Sequence, residues 1–414
     1  MKRKLIPLMA LSLFGVVATS CGGSSTWSWE EAKGDKVLKY ALLIGQIDHN
    51  DSAARTAGIR EALGTRPAQH QTNPNKENAV EGKLTLNGVE YKTIEVVSGE
   101  QKSTGGATWD QQTATTSTET WLNTHQDIDF FVSNNDGMAE GAIGANNWKE
   151  GMPIFGYDSN QSTLDKIESG EIMGTINQNA PAQAAAIYMA ARNAIDGKTG
   201  NEVFEEGFTK ESTNGYGKLT SVGAYSETDH SFLVNNVKVT KENVSAYKTT
   251  DIKTLAEKTV KKGTTKTAKI WHSYYSASDT FLTTSMSPLF EHYKSLFNFD
   301  VTTVKGDGND EATGLNALDT AASDTDAFIV NMIKTTNAKL YLDKIATKLG
   351  ATEAAPTSVP VVFWNRQATK ENGTVDAEVM ADARFKNVFY VGFDAIQGGK
   401  LQGQMIVDYL TSLK

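Results

Sequence analysis

The sequence predicts an α/β fold of two lobes, each a parallel sheet flanked by helices. Short, continuous apolar runs alternate with amphipathic stretches along the 414 residues, which is typical of parallel sheets covered on both faces. The same rhythm is present on both sides of the Lys/Thr-rich stretch Thr249–Thr267, which has the composition of a linker. The length is also that of about two domains.

The N-terminal segment has the pattern of an export signal. A positive region, Lys2–Lys4, precedes the apolar run Leu5–Ala18, which is too short to span a bilayer as a helix. Small residues then lead to Cys21, the only cysteine of the chain, and this order resembles a bacterial lipobox. We therefore expect residues 1–20 to be a signal peptide and Cys21 to be lipidated, with residues 21–36 as a tether. The alternative is an ordinary signal peptide with an incidental cysteine.

Ten strands and nine helices are predicted in the remaining chain. The strands are Val37–Ile44, Ile94–Val97, Ile128–Val132, Pro153–Tyr157, Ile172–Ile176, Lys269–Trp271, Val301–Val304, Ala327–Ile333, Val359–Trp364 and Val388–Gly392. The helices are Ser52–Leu63, Asp110–Leu122, Met138–Asn147, Ser162–Ser169, Pro181–Asp196, Thr283–Phe297, Glu311–Ala322, Ala338–Leu349 and Gln397–Leu413. Gly64–Tyr91 interrupts this order as a surface insertion that ends in a hairpin about Asn87-Gly88. Residues 197–230 are expected to form loops or short antiparallel strands.

Planar polar side chains recur just after the predicted strands, where ligands bind in sheets of this kind. The candidates are His49, Asp51, Arg55, Asn135, Asp158, Gln178, Asp279 and Asn365, with Trp109 and Phe281 as neighbouring aromatic faces. Adjacent sugar hydroxyls suit such fork-shaped donors and acceptors, and aromatic rings suit the C–H faces of a sugar. Any one of these residues is equally well explained as a helix N-cap or a core side chain. The argument rests on their recurrence in both halves.

Several motifs resemble the periplasmic glucose/galactose-binding proteins, which are solute-binding proteins of ABC transporters. They are His49-Asn50-Asp51 with Arg55-Thr56, Asn134-Asn135-Asp136-Gly137-Met138, Pro153–Asp158, Gly174-Thr175, Val237–Asn243, Asp279-Thr280-Phe281, Pro360–Asn365 and Tyr390–Asp394. The resemblance covers nearly all of residues 37–414, but its two parts stand in reversed order. It therefore implies a circularly permuted chain with the two-lobed, type I periplasmic-binding-protein fold.

The resemblance also implies boundaries and roles. Lobe one would comprise residues 37–177, 236–250 and 397–414, and lobe two residues 178–235 and 267–396, with residues 251–266 as the permutation linker. The ten candidate residues would bind a monosaccharide, with Trp109 and Phe281 on opposite faces of its ring. Gln178 stands where glucose and galactose binders carry Asn, so a pentose or another hexose is an open alternative, as is use of Asn179. The family's calcium loop has no counterpart here, so we expect no metal and no cofactor.

The expected function is capture of D-glucose or D-galactose for an ABC transporter permease, by a monomer held outside the cytoplasm through lipidated Cys21. A role in chemoreception is an alternative. A glycoside hydrolase using Asp51, Asp158 or Asp279 is disfavoured, because Arg55 would oppose the raised pKa that a catalytic acid needs. A DNA-binding regulator is disfavoured as well. The net charge is −9 and no basic stripe is present.

Overall fold

Two seven-stranded sheets organise the protein. The computed structural model describes residues 27–29, 35–69, 73–205, 222–248, 266–308 and 310–413. Cys21, the signal peptide and most of the predicted linker lie outside the described residues. In spatial order, sheet one is β2 (Gly82–Leu86), β3 (Val89–Glu100), β1 (Val37–Ile44), β4 (Phe130–Ser133), β5 (Ile154–Phe155), β6 (Gly174–Asn177) and β9 (Val237–Thr240). Sheet two is β11 (Phe299–Lys305), β10 (Ala268–Tyr274), β12 (Ala327–Val330), β13 (Val361–Trp364), β14 (Val388–Phe393), β8 (Ser231–Val234) and β7 (Gly223–Ser226).

Most strand pairs are parallel, as the sequence predicts. The exceptions in the described parts are β2–β3, β6–β9 and β7–β8, which pair antiparallel at the edges of the sheets. The predicted hairpin joins β2 to β3, and its turn residues Asn87 and Gly88 have φ of 50° and 79°. Both central positions of a tight hairpin turn require positive φ, which asparagine and glycine adopt most readily. Two mostly parallel sheets flanked by helices are the architecture that the resemblance implies.

Helices cover both faces of each sheet. They are α1 (Asn50–Ala62), α2 (Gln111–Thr124), α3 (Asp136–Ile143), α4 (Gln161–Ser169), α5 (Ala180–Ile195), α6 (Ser287–Leu296), α7 (Glu311–Ala317), α8 (Ala338–Leu349), α9 (Ala377–Met380) and α10 (Ala395–Ser412). Leu42 and Ile44 of β1 pack into one core, and the alternate residues Ala41 and Leu43 pack into another. Both faces of β1 are thus buried. A π-helix, Phe281–Met286, forms the start of the predicted helix Thr283–Phe297.

The chain passes between the two sheets at three places. Asn177–Asn179 connects β6 to α5, residues 235–236 connect β8 to β9, and Asp394 connects β14 to α10. Lobe one below means sheet one with its helices, and lobe two means sheet two with its helices.

The last helix returns to the first sheet. Met405, Ile406 and Leu410 of α10 share a core with Leu42 and Ile44 of β1, so the last helix packs on the first strand. Whether this order arose by circular permutation stays a prediction.

Two sequence interpretations need correction in detail. Trp29, inside the predicted tether, is 7% exposed and packs into the core beside Tyr91, so this part of the chain is not a free tether. The Gly64–Tyr91 insertion is also built into lobe one. The carboxamide of Asn75 donates to the backbone oxygens of Gln46 and Ile47 at 3.2 and 3.0 Å. Among the described helices, none has both the length and the apolar character needed to cross a bilayer.

Candidate functional site

One enclosed cavity between the lobes gathers all ten predicted site residues. Its lining consists of His49, Asp51, Arg55, Trp109, Asn135, Asp158, Gln178, Tyr275, Asp279, Phe281, Asn365 and Arg366. The first six come from lobe one, Gln178 comes from a hinge crossing, and the other five come from lobe two. The cavity measures about 30 Å³, which is room for about two water molecules. The lobes are therefore closed tightly around these side chains.

Several of these residues are helix caps as well as cavity walls. The Nδ1 atom of His49 accepts from the backbone N–H of Asp51 at 3.1 Å and caps α1. Asn135 caps α3 by accepting from Met138 at 2.9 Å, and Asp279 accepts from the N–H of Leu282 at 3.0 Å. These side chains thus cap helices and also line the cavity.

His49 is a neutral hydrogen-bond donor in this setting. Burial, together with the positive charges of Arg366 and Arg55, holds the pKa of His49 well below its usual value. Because Nδ1 accepts the Asp51 N–H, the single ring proton sits on Nε2. The edge of the His49 ring meets the face of Trp109, with ring centroids 5.5 Å apart and an interplanar angle of 89°.

Arg55 is the central cation of lobe one. Its Nη1 donates to the backbone oxygen of Asn134 at 2.5 Å and lies 3.5 Å from Oδ1 of Asp158. The guanidinium carbon lies 3.6 Å from the centroid of the Tyr157 ring. Arg55 is 4% exposed, and its Nε has no hydrogen-bond partner in the described structure. A buried, unpaired donor of this kind is costly unless a ligand satisfies it.

Two carboxyl groups in the cavity hold their protons unusually strongly. Burial raises the pKa of Asp51 to about 7, although Arg55 and Arg366 oppose the shift. Burial also raises the pKa of Asp158 to about 7, with Arg55 opposing and Asp279 adding to the shift. The Nε2 of Gln178 donates to Asp158, while Oε1 of Gln178 is buried without a partner among the described residues. Asp279 accepts from the hydroxyl of Tyr275 at 2.5 Å.

Three cavity residues have a strained backbone. Trp109, Asp158 and Asn365 have φ of 61°, 118° and 62°, in the left-handed region that non-glycine residues rarely adopt. Such strain costs of order 1–3 kcal/mol for each residue and concentrates at functional sites. At Trp109 the fit is especially close, because a Cβ on Gly45 would lie 2.1 Å from the indole ring. Gly45 is therefore needed for Trp109 to reach the cavity.

Sequence reasoning missed Tyr275 and Arg366. The guanidinium carbon of Arg366 lies 3.6 Å from the centroid of the Tyr275 ring, and Nη1 donates to Oε1 of Gln46 at 3.0 Å. Arg366 is 1% exposed and its Nε lacks a partner among described atoms. Both residues stand directly after strands, Tyr275 after β10 and Arg366 one residue beyond Asn365. Their positions just after strands are the signal that could have identified them from the sequence.

Contacts on two sides of the cavity join the lobes. Gln46 of lobe one meets Arg366 of lobe two on one side. Asn160 of lobe one meets Thr280 at 3.4 Å and Ser285 at 3.1 Å on the other. Of the alternatives weighed from the sequence, Asn179 does not line the cavity. Its side chain caps α5 by accepting from Ala182 at 3.3 Å. No group of three or more His, Cys, Asp or Glu residues within the described ranges is placed to hold a metal ion.

Comparisons with known proteins agree with this architecture. Residues 24–199 match a family model described as a periplasmic binding protein domain, and residues 267–338 match a second model with the same description. The D-galactose/methyl-galactoside binding periplasmic protein MglB of Haemophilus influenzae is 27% identical over 171 residues. These residues are 41% of this chain and 43% of that relative, so the match spans less than half of the relative's length. Residues 24–199 and 267–338 are thus each similar to a periplasmic binding protein domain, and part of the chain is similar to this galactose-binding protein.

Solved structures of sugar-binding transport proteins are also similar. A solute binding protein from Agrobacterium vitis with bound D-fucose is 12% identical with a TM-score of 0.49, over 91% of this chain and 90% of that one. A carbohydrate transporter protein from Acidothermus cellulolyticus in complex with myo-inositol is 11% identical with a TM-score of 0.47. That match covers 91% of this chain and 88% of the other.

Proposed function

We propose, from the premise that two parts of the chain are similar to periplasmic binding protein domains, that it captures D-glucose or D-galactose between its lobes and delivers the sugar to an ABC transporter. The observation that carries the proposal is the enclosed cavity. Planar polar groups from both lobes and from a hinge crossing converge there, beside Trp109 of lobe one and Phe281 of lobe two. The galactose-binding relative supports the choice of sugar.

The unpaired polar atoms of the cavity suit sugar hydroxyls. Arg55 and Arg366 each keep a buried Nε donor without a partner, and Gln178 keeps an unpartnered Oε1 acceptor. A hydroxyl supplies one donor and two acceptor sites, so one hexose can satisfy groups of both kinds. Hydrogen bonds to charged groups contribute about 1.5–3 kcal/mol each. Several of them compensate for removing a very polar ligand from water.

Capture requires the lobes to separate and close again. A cavity of about 30 Å³ cannot admit a hexose, so the sugar enters only after the lobes move apart. The three crossings at Asn177–Asn179, 235–236 and Asp394 are the hinge for this motion. In the closed form Asp158 pairs with Gln178, and Asp279 pairs with Tyr275. Bound sugar hydroxyls would replace these side-chain partners.

Calorimetry with a panel of sugars tests the proposal. We expect D-glucose or D-galactose to bind more tightly than D-xylose, D-arabinose or myo-inositol. Deoxy sugars that lack a recognised hydroxyl should lose up to about 10⁴-fold in affinity, because they leave buried polar groups unpaired. A preference for a pentose would support the alternative drawn from Gln178. The absence of binding by every monosaccharide would contradict the proposal.

A glycoside hydrolase is the second candidate, because the pKa values of Asp51 and Asp158 are both raised to about 7. A proton retained near neutral pH is what a general acid needs. The family of transport proteins to which the matched domains belong is non-enzymatic, which favours binding. Nitrophenyl α- and β-glycosides of glucose and galactose separate the two functions. We expect binding without release of nitrophenol, and turnover would favour the hydrolase.

The location outside the cytoplasm follows from the same proposal. Periplasmic binding proteins act there, and the segment up to Cys21 has the order of an export signal with a lipidated cysteine. We therefore propose that the protein is anchored to a membrane through Cys21 and works as a monomer beside a permease. Delivery to a chemoreceptor is the alternative use of the same closed form.

A further inference from the structure

A second and larger cavity adjoins the enclosed one. It is a groove of about 1100 Å³ between the lobes, and His49 and Asp51 line both spaces. Cavities that hold small ligands usually measure about 300–1,000 Å³, so the groove has room for a group larger than one sugar ring. We call this groove of about 1100 Å³ the outer groove.

The outer groove has walls from both lobes. In lobe one its wall includes Gln46–Asp51 and Asn73–Pro74. Asn73 and Asn75 hold this wall in place, because their carboxamides donate to the backbone oxygen of Ile47 at 2.8 and 3.0 Å. In lobe two the wall includes Ile333–Thr336 and Gln367, which follow β12 and β13 at the carboxyl edge of sheet two. The outer groove is therefore placed where sheets of this type bind ligands.

His49 and Asp51 form a shared wall of the two spaces, and one side-chain pair joins their linings across the lobes. Gln46 lines the outer groove, Arg366 lines the enclosed cavity, and the two are joined by the hydrogen bond of 3.0 Å. Arg366 also contacts the Tyr275 ring and donates to the backbone oxygen of Ile333.

The lining of the outer groove suits an uncharged polar group. Acidic and basic side chains occur together, and Asp48 pairs with Lys76. Gln367 is only 9% exposed, and its Nε2 donor has no partner in the parts of the chain that the structure describes. The unpaired acceptor Oδ1 of Asn50 lines the same groove. A donor and an acceptor left open in this way match hydroxyl groups.

We infer that the ligands of this protein include disaccharides, with the terminal hexose in the enclosed cavity and the second sugar in the outer groove. The inference rests on the proposed function and extends it from monosaccharides to disaccharides. Gln46 and Arg366 form the gate between the two subsites. Gln367 is the specificity residue of the outer groove.

Calorimetry of the full-length protein with D-galactose, D-glucose, lactose, melibiose, maltose and cellobiose tests the inference. We expect at least one disaccharide to bind within about tenfold of its terminal monosaccharide. In Gln367→Ala its affinity should fall about three- to tenfold, the scale of one hydrogen bond. Monosaccharide affinity should change by less than twofold, because Gln367 does not line the enclosed cavity.

Two further variants change the volume of the outer groove or its gate. Thr336 is exposed in the outer groove, so Thr336→Trp should fill it and weaken the disaccharide at least tenfold without affecting the monosaccharide. Thr116→Trp, at an exposed position of α2, is the matched control. Gln46→Ala removes half of the gate and should raise the affinity for disaccharide relative to monosaccharide at least threefold.

The outcomes separate this inference from the proposed function. Binding of monosaccharides with no binding of any disaccharide, by both the wild type and Gln46→Ala, would overturn the outer subsite and leave the proposed function standing. Equal losses for both ligand classes in Thr336→Trp would also overturn it. Failure of every sugar to bind would instead remove the proposed function.

Discussion

The guanidinium of Arg55 lies over the ring of Tyr157, with 3.6 Å between its central carbon and the ring centroid. The same side chain lies 3.5 Å from Asp158 and donates to the backbone oxygen of Asn134. A planar guanidinium can stack and donate sideways at the same time, which a lysine ammonium cannot. Arg55 thus fixes the position of Asp158 by geometry as well as by charge.

Arg55→Lys should therefore impair sugar binding although the charge is kept. We expect at least a tenfold loss of affinity, because the stacking on Tyr157 is lost and Gln178 alone then holds Asp158. Arg384→Lys is the matched control, since Arg384 pairs with Asp382 and Asp343 outside the cavity. Calorimetry with the preferred hexose measures both. Wild-type affinity in Arg55→Lys would exclude the clamp role.

Trp109 gives an optical test of the sugar position. The indole lies against Gly45 and His49 at the cavity wall, so sugar binding should change tryptophan fluorescence. Trp109→Ala should remove most of that change and weaken binding by about 1–3 kcal/mol, the scale of losing a buried aromatic contact. Trp148→Phe serves as the fluorescence control, because Trp148 packs against Phe131 and does not line the cavity. A full signal in Trp109→Ala would place the sugar elsewhere.

The buried carboxyl of Asp51 predicts a stability that falls with rising pH. An unfolded chain ionises this group near pH 4, whereas the folded protein holds its pKa at about 7. Between these values the folded state binds more protons, so the free energy of unfolding decreases as the pH rises through that window. Asp158 acts in the same direction.

Asp51→Asn should consequently stabilise the sugar-free protein at pH 8 and flatten its pH dependence between about pH 4 and 7. We expect a gain of the order of 1 kcal/mol or more, because a pKa difference of one corresponds to about 1.4 kcal/mol. Sugar binding should weaken at the same time. Asp127→Asn should change the stability at pH 8 in the opposite direction, since Lys39 lowers the pKa of Asp127. Thermal unfolding across pH would contradict the argument if Asp51→Asn lowered stability at pH 8.

The proposed lipid anchor at Cys21 can be tested by phase partition. If this cysteine is lipidated after removal of residues 1–20, the protein should enter the detergent phase of a two-phase partition. Cys21→Ala should move it to the aqueous phase, because two or more acyl chains are needed for stable anchoring and none would remain. A variant changed at exposed Ser412 should partition like the wild type. Detergent-phase partitioning of Cys21→Ala would refute lipidation.

Much of the fold was predictable because continuous apolar runs mark the buried strands along the chain. β1 and α8 have the predicted bounds, and the Asn87-Gly88 turn is where its residues require it. The ten candidate residues also surround one cavity, since parallel strands bring their carboxyl ends to one edge. The π-helix at Phe281 was not predictable, because its apolar spacing does not distinguish it from an α-helix. The role of Arg366 depends on contacts with Tyr275 and Gln46, which are distant in sequence.

The last helix, α10, packs closely on lobe one. The helix lies so close to α1 that a Cβ on Gly403 would be 2.4 Å from the backbone oxygen of Gly58. Gln402 of α10 donates to the backbone oxygens of Ser133 and Gly156 at 2.8 and 2.9 Å. Removal of residues 395–414 should therefore unfold lobe one, as hydrogen exchange of β1 and β4 would show.

If the order is a circular permutation, the opposite order should fold as well. The backbone oxygen of Thr411 accepts from Asn87 at 2.7 Å, and β1 starts beside Lys92, five residues further along the hairpin. At about 3.3–3.6 Å per residue, roughly six linker residues can join the end of α10 to β1.

A chain running from residue 267 to 413, through a six-residue Gly/Ser linker, and then from 35 to 248 should keep the sheets and bind sugar within about threefold of the wild type. The same chain without residues 395–413 is the control and should not bind. Failure of the reordered chain to fold would refute the permutation, because every contact of α10 with lobe one is available to it.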